Sequence, residues 1–154
     1  MESEAVRCVL LADRHHGLTE AVRGLLETSF DAVVMVADET SFLESAERLN
    51  PTVVVADLGL APGESFGWLR RLLARCPQSR VIVLSNHDEL SVMQAALDTG
   101  AMGFVLKREI ASQLLDAVAA VLAGKSYVPP GANGKVLPPN GLKGAKSGIK
   151  SQQE

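Results

Sequence analysis

Apolar residues in this chain fall into five short runs separated by longer amphipathic stretches. The runs are 6–12 (VRCVLLA), 32–37 (AVVMVA), 52–56 (TVVVA), 80–84 (RVIVL) and 102–106 (MGFVL). Each has strand length and is rich in β-branched residues. The intervening stretches place apolar residues at helical spacing. Leu18, Ala21, Val22, Leu25 and Leu26 do so within 16–29; Phe42, Leu43, Ala46 and Leu49 within 40–49; Phe66, Leu69, Leu72 and Leu73 within 65–75. Two more helices are predicted over 89–99 and 110–123. Asn50-Pro51, Pro77, Gly100 and Gly124 supply the stops, and Gly100 suits the residue just past a helix end.

Five strands alternating with five helices predict an α/β domain. Strands apolar on both faces belong in a parallel sheet covered by helices on each side. Right-handed crossovers make that sheet doubly wound. The natural arrangement for five strands is the flavodoxin-like order 2-1-3-4-5.

Composition narrows the class. At 154 residues and 16.3 kDa, with 47% hydrophobic and 21% charged residues, the chain is sized for one compact domain. Its longest apolar runs, such as Val9–Ala12 and Val53–Ala56, fall far short of the roughly 20 residues a membrane span needs. The first residues, Met-Glu-Ser-Glu, lack the basic and apolar regions of a signal peptide. Cys8 and Cys76 are the two cysteines, so reduced thiols and a cytoplasmic location are expected. Charge divides the chain. Residues 1–124 carry 10 Lys and Arg against 17 Asp and Glu, a net of −7, whereas 125–154 carry five Lys and one Glu, a net of +4. The second segment also holds Pro129, Pro130, Pro138 and Pro139. The expected organisation is a folded domain over 1–124 and a flexible basic linker or tail over 125–154. The acidic part is a poor DNA binder by itself.

In an open parallel sheet the functional crevice lies beyond the carboxyl ends of the strands. Four predicted strands end on polar groups: Asp13, Asp57, Ser85 and Lys107. In order 2-1-3-4-5 these strands are neighbours, so the four side chains converge on one rim. Any single strand end can be polar merely because the chain is leaving the sheet. Four such residues in register are a much rarer coincidence.

VLLADRHHGL, VVVADLGL, VIVLSNHDE, ALDTGAMGFVLKREI and AVLAGKSYVPP, in this order and spacing, resemble the receiver domain of two-component response regulators. The similarity is greatest to the NarL/FixJ (LuxR-type) class and covers about residues 5–128. It implies a phosphorylatable signalling protein rather than an enzyme. Asp57 would accept a phosphoryl group from a sensor histidine kinase. Lys107 would pair with a phosphoryl oxygen, and Ser85 would turn to hydrogen-bond it. Mg²⁺ would be held by Asp13, Asp57 and the backbone carbonyl of Gly59. Phe104 would serve as the aromatic switch partner of Ser85.

Two positions depart from the family pattern. Its strand-one acidic pair is here Asp13-Arg14, and a guanidinium offers no acceptor to a metal. Weak Mg²⁺ binding is the expectation, with Arg14 pairing with Asp13 or Asp57 or pointing to solvent. Phe104 stands where many receivers carry Tyr, and has no hydroxyl. An alternative reading is a degenerate receiver that works as a phosphorylation-independent dimerisation or interaction module. A haloacid-dehalogenase-type phosphatase would need a second Asp where Gly59 stands. A flavodoxin-type FMN site would need a Ser/Thr/Gly loop where ADRHHG stands. His15 and His16 are poorly placed as a metal pair. The last helix carries Ile110, Leu114, Leu115, Val118, Val121 and Leu122, a wide apolar set that predicts a homodimer through this helix. In the class resembled, a linker leads to a helix-turn-helix output domain. DNA binding is therefore expected only through a C-terminal domain missing from this chain.

Overall fold

The structure, a computed structural model, describes residues 7–14, 16–60, 66–132 and 134–136. Strands β1 (Cys8–Ala12), β2 (Ala32–Val36), β3 (Val53–Asp57), β4 (Arg80–Ser85) and β5 (Gly103–Leu106) alternate with five helices. These are α1 (His16–Leu26), α2 (Glu39–Leu49), α3 (Gly67–Arg75), α4 (Leu90–Thr99) and α5 (Ile110–Leu122). The strands form one parallel sheet in order β2-β1-β3-β4-β5, as the sequence predicts.

The period-two geometry of a strand divides each apolar run between two cores. Leu10, Ala12, Val54, Ala56, Val81, Val83, Phe104 and Leu106 face the layer built with α2, α3 and α4. Val9, Leu11, Val53, Val55, Ile82, Leu84 and Val105 face the layer built with α1 and α5. All five residues of β3 are buried, as the central strand of a doubly covered sheet requires. Phe42 and Trp68 meet edge to face in the first layer, with ring centroids 5.8 Å apart.

Helix ends follow local chemistry. Asp38 caps α2 by accepting the Ser41 N–H at 2.8 Å. Asn50 ends it in the left-handed region, before Pro51. At the end of α4, Ala101 N–H donates to Ala96 O and Gly100 N–H to Leu97 O, closing a Schellman turn around Gly100 at φ +127°. Helix α1 stops at Leu26 rather than 29, because its last turn tightens to seat buried Phe30.

One expected boundary is displaced. A flexible segment was expected from residue 125, yet the packed chain continues to Ala132. Tyr127 N–H donates to Met102 O at 2.8 Å, and Phe104 N–H donates to Tyr127 O at 3.0 Å. Tyr127 thus pairs in parallel with Gly103 on the free edge of β5. A short 3₁₀ turn at Pro130–Ala132 then buries Ala132. The cause is tertiary: β5 is an edge strand, and its unpaired backbone groups offer a ladder to any chain that runs beside them. Residues beyond 136 lie outside those described.

Candidate functional site

The sheet brings the predicted residues together at its carboxyl edge. Asp13 follows β1, Asp57 ends β3, Ser85 ends β4 and Lys107 follows β5. Pairing of Asp57 with Leu84, and of Ser85 with Leu106, sets them in register. Asp13, Asp57 and Ser85 are 3%, 5% and 1% exposed, so the carboxylates are charges taken out of water and need compensation.

Lys107 supplies it. Its Nζ lies 2.5 Å from Asp57 Oδ1 and 3.4 Å from Asp13 Oδ2, so one ammonium joins both carboxylates. Gly59 N–H donates to the other Asp57 oxygen at 3.1 Å. Both oxygens of Asp57 are therefore oriented, one by a cation and one by the backbone. A Cβ on residue 59 would stand 3.1 Å from Asp57 Oδ2, which favours glycine there. Ser85 is close in the fold but engaged elsewhere. Its hydroxyl accepts the His87 N–H at 2.8 Å and donates to His87 O at 3.4 Å.

Arg14 is exposed and joins neither carboxylate among the described residues. Of the arrangements expected for it, the structure shows the one directed to solvent. Phe104 is fully buried among Met93, Ala96 and Leu106. Its ring occupies the interior of that layer. The docked segment after α5 helps to seal this edge of the sheet.

Among the described residues no three His, Cys, Asp or Glu side chains gather as a metal site. The hard oxygens of Asp13 and Asp57 nonetheless suit Mg²⁺, which binds through one or two carboxylates while keeping several waters. Asp13 and Asp57 are the side chains whose oxygens would suit it. His15 lies outside the described residues, as does the side chain of His16. The cysteines are quiet. Burial raises the thiol pKa of both, with the Glu47 charge adding for Cys76, and Cys76 Sγ donates to Ala46 O at 3.4 Å.

Sequence reasoning missed the pair beside this site. Arg108 Nη2 lies 3.0 Å from Asp88 Oδ2 and ties the turn after β5 to the loop after β4. The signal was present: opposite charges stand one residue past Lys107 and three past Ser85, on adjacent strand exits. Both are exposed, so the pair contributes little stability.

The response regulator receiver domain family matches residues 9–119. The transcriptional regulatory protein DegU of Brevibacillus brevis is 33% identical over 124 residues, covering 79% of this chain and 52% of that protein. The virulence factors putative positive transcription regulator BvgA of Bordetella pertussis is 32% identical over 122 residues, covering 79% and 58%. The isolated receiver domain of RcsB from Salmonella enterica serovar Typhimurium, solved with the phosphomimetic BeF₃⁻, superposes with a TM-score of 0.73 at 26% identity. That match covers 86% of this chain and all of that one. The chain spans little more than half the length of the curated relatives it matches. These relatives are transcription regulators of the NarL/LuxR class, and among the described residues no helix is long and apolar enough to cross a membrane. With its sheet order, its two carboxylates and the lysine between them, this chain belongs to the response regulator receiver domain family of two-component signalling.

Proposed function

We propose that Asp57 accepts a phosphoryl group from the phosphohistidine of a sensor histidine kinase and thereby controls a DNA-binding output domain absent from this chain. The observation that carries this reading is Lys107, whose ammonium lies between Asp13 and Asp57 at the open end of the sheet. In the transfer, a carboxylate oxygen of Asp57 attacks phosphorus as the bond to the histidine nitrogen breaks; with the ring's other nitrogen protonated in the donor, the histidine leaves as neutral imidazole and Asp57 becomes an aspartyl phosphate. The new group adds about −1.5 to −2 of charge and strong acceptor oxygens. Lys107 can follow those oxygens while remaining close to Asp13. Ser85 donates to the phosphoryl group after giving up its long bond to His87 O. Gly59 N–H keeps the carboxylate from rotating away. Mg²⁺ held by Asp13, Asp57 and the Gly59 carbonyl would neutralise the incoming phosphoryl oxygens. Arg14 makes that affinity weak, because it replaces an oxygen ligand with a cation.

The reading implies a cytoplasmic protein acting on DNA through its output domain. RcsB, a structural neighbour at 25% identity and TM-score 0.71, has been solved bound to a promoter in the presence of BeF₃⁻. The test is intact-mass measurement after incubation with acetyl phosphate and Mg²⁺. A gain of one phosphoryl group in the wild type, absent in Asp57→Asn, is the expected result. No gain would leave the phosphorylation-independent module as the reading.

A further inference from the structure

Charge at the carboxyl edge of the sheet does not balance with Lys107 alone. Asp13 and Asp57 are nearly buried and share one ammonium, so the inner site keeps one negative charge in excess. A phosphoryl group arriving on Asp57 adds to that excess and needs a further cation. The residue next to Asp13 on this rim is Arg14. We infer that Arg14 supplies this cation, so that Asp57 accepts a phosphoryl group without a divalent metal. The inference rests on the proposed role of Asp57 and adds what the transfer requires in this chain.

The rim carries two carboxylates, Asp13 and Asp57, and two cations, Lys107 and Arg14, and is neutral before any ion binds. An acid at position 14 would leave the same rim with two negative charges in excess, the charge that one divalent cation offsets. Replacing that acid by arginine therefore removes a metal ligand and, in the same step, the charge the metal would neutralise.

Arg14 is also available. It is exposed and has no ion-pair partner among the described residues, whereas Arg23, Arg71, Arg75 and Arg108 are each paired with a carboxylate. Its Cα lies about 3.8 Å along the chain from that of Asp13. Asp13 and Asp57 are joined through one ammonium, so a side chain as long as arginine's, rooted beside Asp13, spans the distance to a group on Asp57. In the resting site the inner acceptors are taken. Lys107 lies between the carboxylates, and Gly59 N–H holds the second oxygen of Asp57. Arg14 accordingly stays outside. Phosphoryl oxygens extend outward from Asp57 and offer it acceptors that the bare carboxylate does not. Guanidinium suits them: it is always charged, and its planar fork of donors matches two phosphoryl oxygens. It is also more weakly hydrated than an ammonium, which lowers the cost of leaving water.

Beryllofluoride binding to the full chain tests this, read from ¹⁹F resonances in buffer stripped of divalent metals and again with Mg²⁺ added. The wild type is expected to bind the probe in stripped buffer, with an affinity that Mg²⁺ leaves nearly unchanged. Arg14→Ala should weaken binding without metal by about tenfold, the scale of one charge-assisted hydrogen bond. Arg14→Lys, which keeps the charge, should recover part of that loss. Arg14→Asp should bind only when Mg²⁺ is present. Intact mass after acetyl phosphate treatment is expected to follow the same pattern. Residue 14 is exposed, and protection of the β3 amides from hydrogen exchange shows that each variant is folded. Wild-type binding that requires Mg²⁺ overturns the role of Arg14 and leaves the Asp57 reading standing. So does Arg14→Ala that binds as tightly as the wild type in stripped buffer, or Arg14→Lys that recovers nothing. Absence of ¹⁹F binding signals in the wild type, with and without Mg²⁺, overturns the Asp57 reading itself, and the role of Arg14 falls with it.

Discussion

Lys107 is the residue on which the site's electrostatics depend. Removing it leaves Asp13 and Asp57, both nearly buried, facing each other without the cation that joins them. Breaking a buried ion pair from one side costs more than the pair contributes, because the buried charge of Asp57 loses its cation. Lys107→Met is therefore expected to lower stability by about 3 kcal/mol in urea denaturation. Adding Asp57→Asn should recover part of the loss, since one of the two charges is gone. An unchanged denaturation midpoint for Lys107→Met would show that solvent compensates the carboxylates. Arg14 makes the complementary case. It offers the rim a cation where an oxygen ligand is usual, and its side chain stays exposed. Arg14→Asp is expected to strengthen Mg²⁺ binding by roughly tenfold, the scale on which a metal site responds to altered ligand surroundings. Calorimetric titration decides it; a wild-type affinity equal to or tighter than the variant's contradicts the proposal. Residue type and position made Asp13, Asp57, Ser85 and Lys107 legible, because strand ends in a parallel sheet must converge. Which way each side chain turns was not legible. That Ser85 bonds within its own loop, that Phe104 lies fully inside and that Arg14 turns outward depend on tertiary neighbours.

At the scale of elements, the sequence was informative wherever a local rule governed. Alternation between two cores fixed every strand, and Asp38, Asn50 and Gly100 marked ends through cap and turn chemistry. Gly100 is the most exacting of these. Its φ of +127° is strained for any side chain, and a Cβ there would stand 2.5 Å from Leu73 Cδ1. Gly100→Ala should cost about 2–3 kcal/mol through strain and overlap. Thermal melting is expected to fall by roughly 5–15 °C. A shift within about 2 °C would mean that α4 ends adaptably. The segment after α5 was not legible, because Pro129, Pro130 and Gly131 read as linker composition. What holds it is the open edge of β5, which no local pattern reports. Tyr127, the sole tyrosine, provides a probe of it. Burial first, then the charges of Asp116 and Glu109, raises its phenol above the ordinary value of 10.0. A raised folded-state value means the docked ring favours the neutral phenol. That stabilisation is fully present below the unfolded phenol's pKa and is lost as pH rises through the folded one. Absorbance titration should therefore give Tyr127 a higher midpoint in the wild type than in Ala132→Asp, where the segment is freed. Equal midpoints would mean that docking does not shield the ring.

Over the whole molecule, the described surface leaves few apolar places for a partner. Leu90, at the start of α4, is the large hydrophobic residue that stands exposed. The apolar set of α5, which suggested a homodimer, proves mostly core: Ile110, Leu114, Val118 and Val121 are buried under the sheet. What remains outward is a narrow stripe of Ala111, Leu115, Ala119 and Leu122, with the two leucines half-buried and the alanines exposed. Small residues between two leucines let a second copy of the helix approach closely. A helix against its own copy meets by a two-fold axis, so each leucine counts twice in the interface. The stripe is too narrow for a standard-size interface, so association should be weak, with a Kd on the order of tens of micromolar. Sedimentation velocity across that range should show a monomer–dimer equilibrium, displaced toward dimer by beryllofluoride if phosphorylation uses the same surface. Leu115→Glu should place like charges across the two-fold axis and abolish the dimer, while β3 amide protection stays intact because the side chain is only half-buried. A wild-type protein that sediments as monomer at several hundred micromolar, with and without beryllofluoride, would assign the α5 stripe wholly to the monomer's own packing.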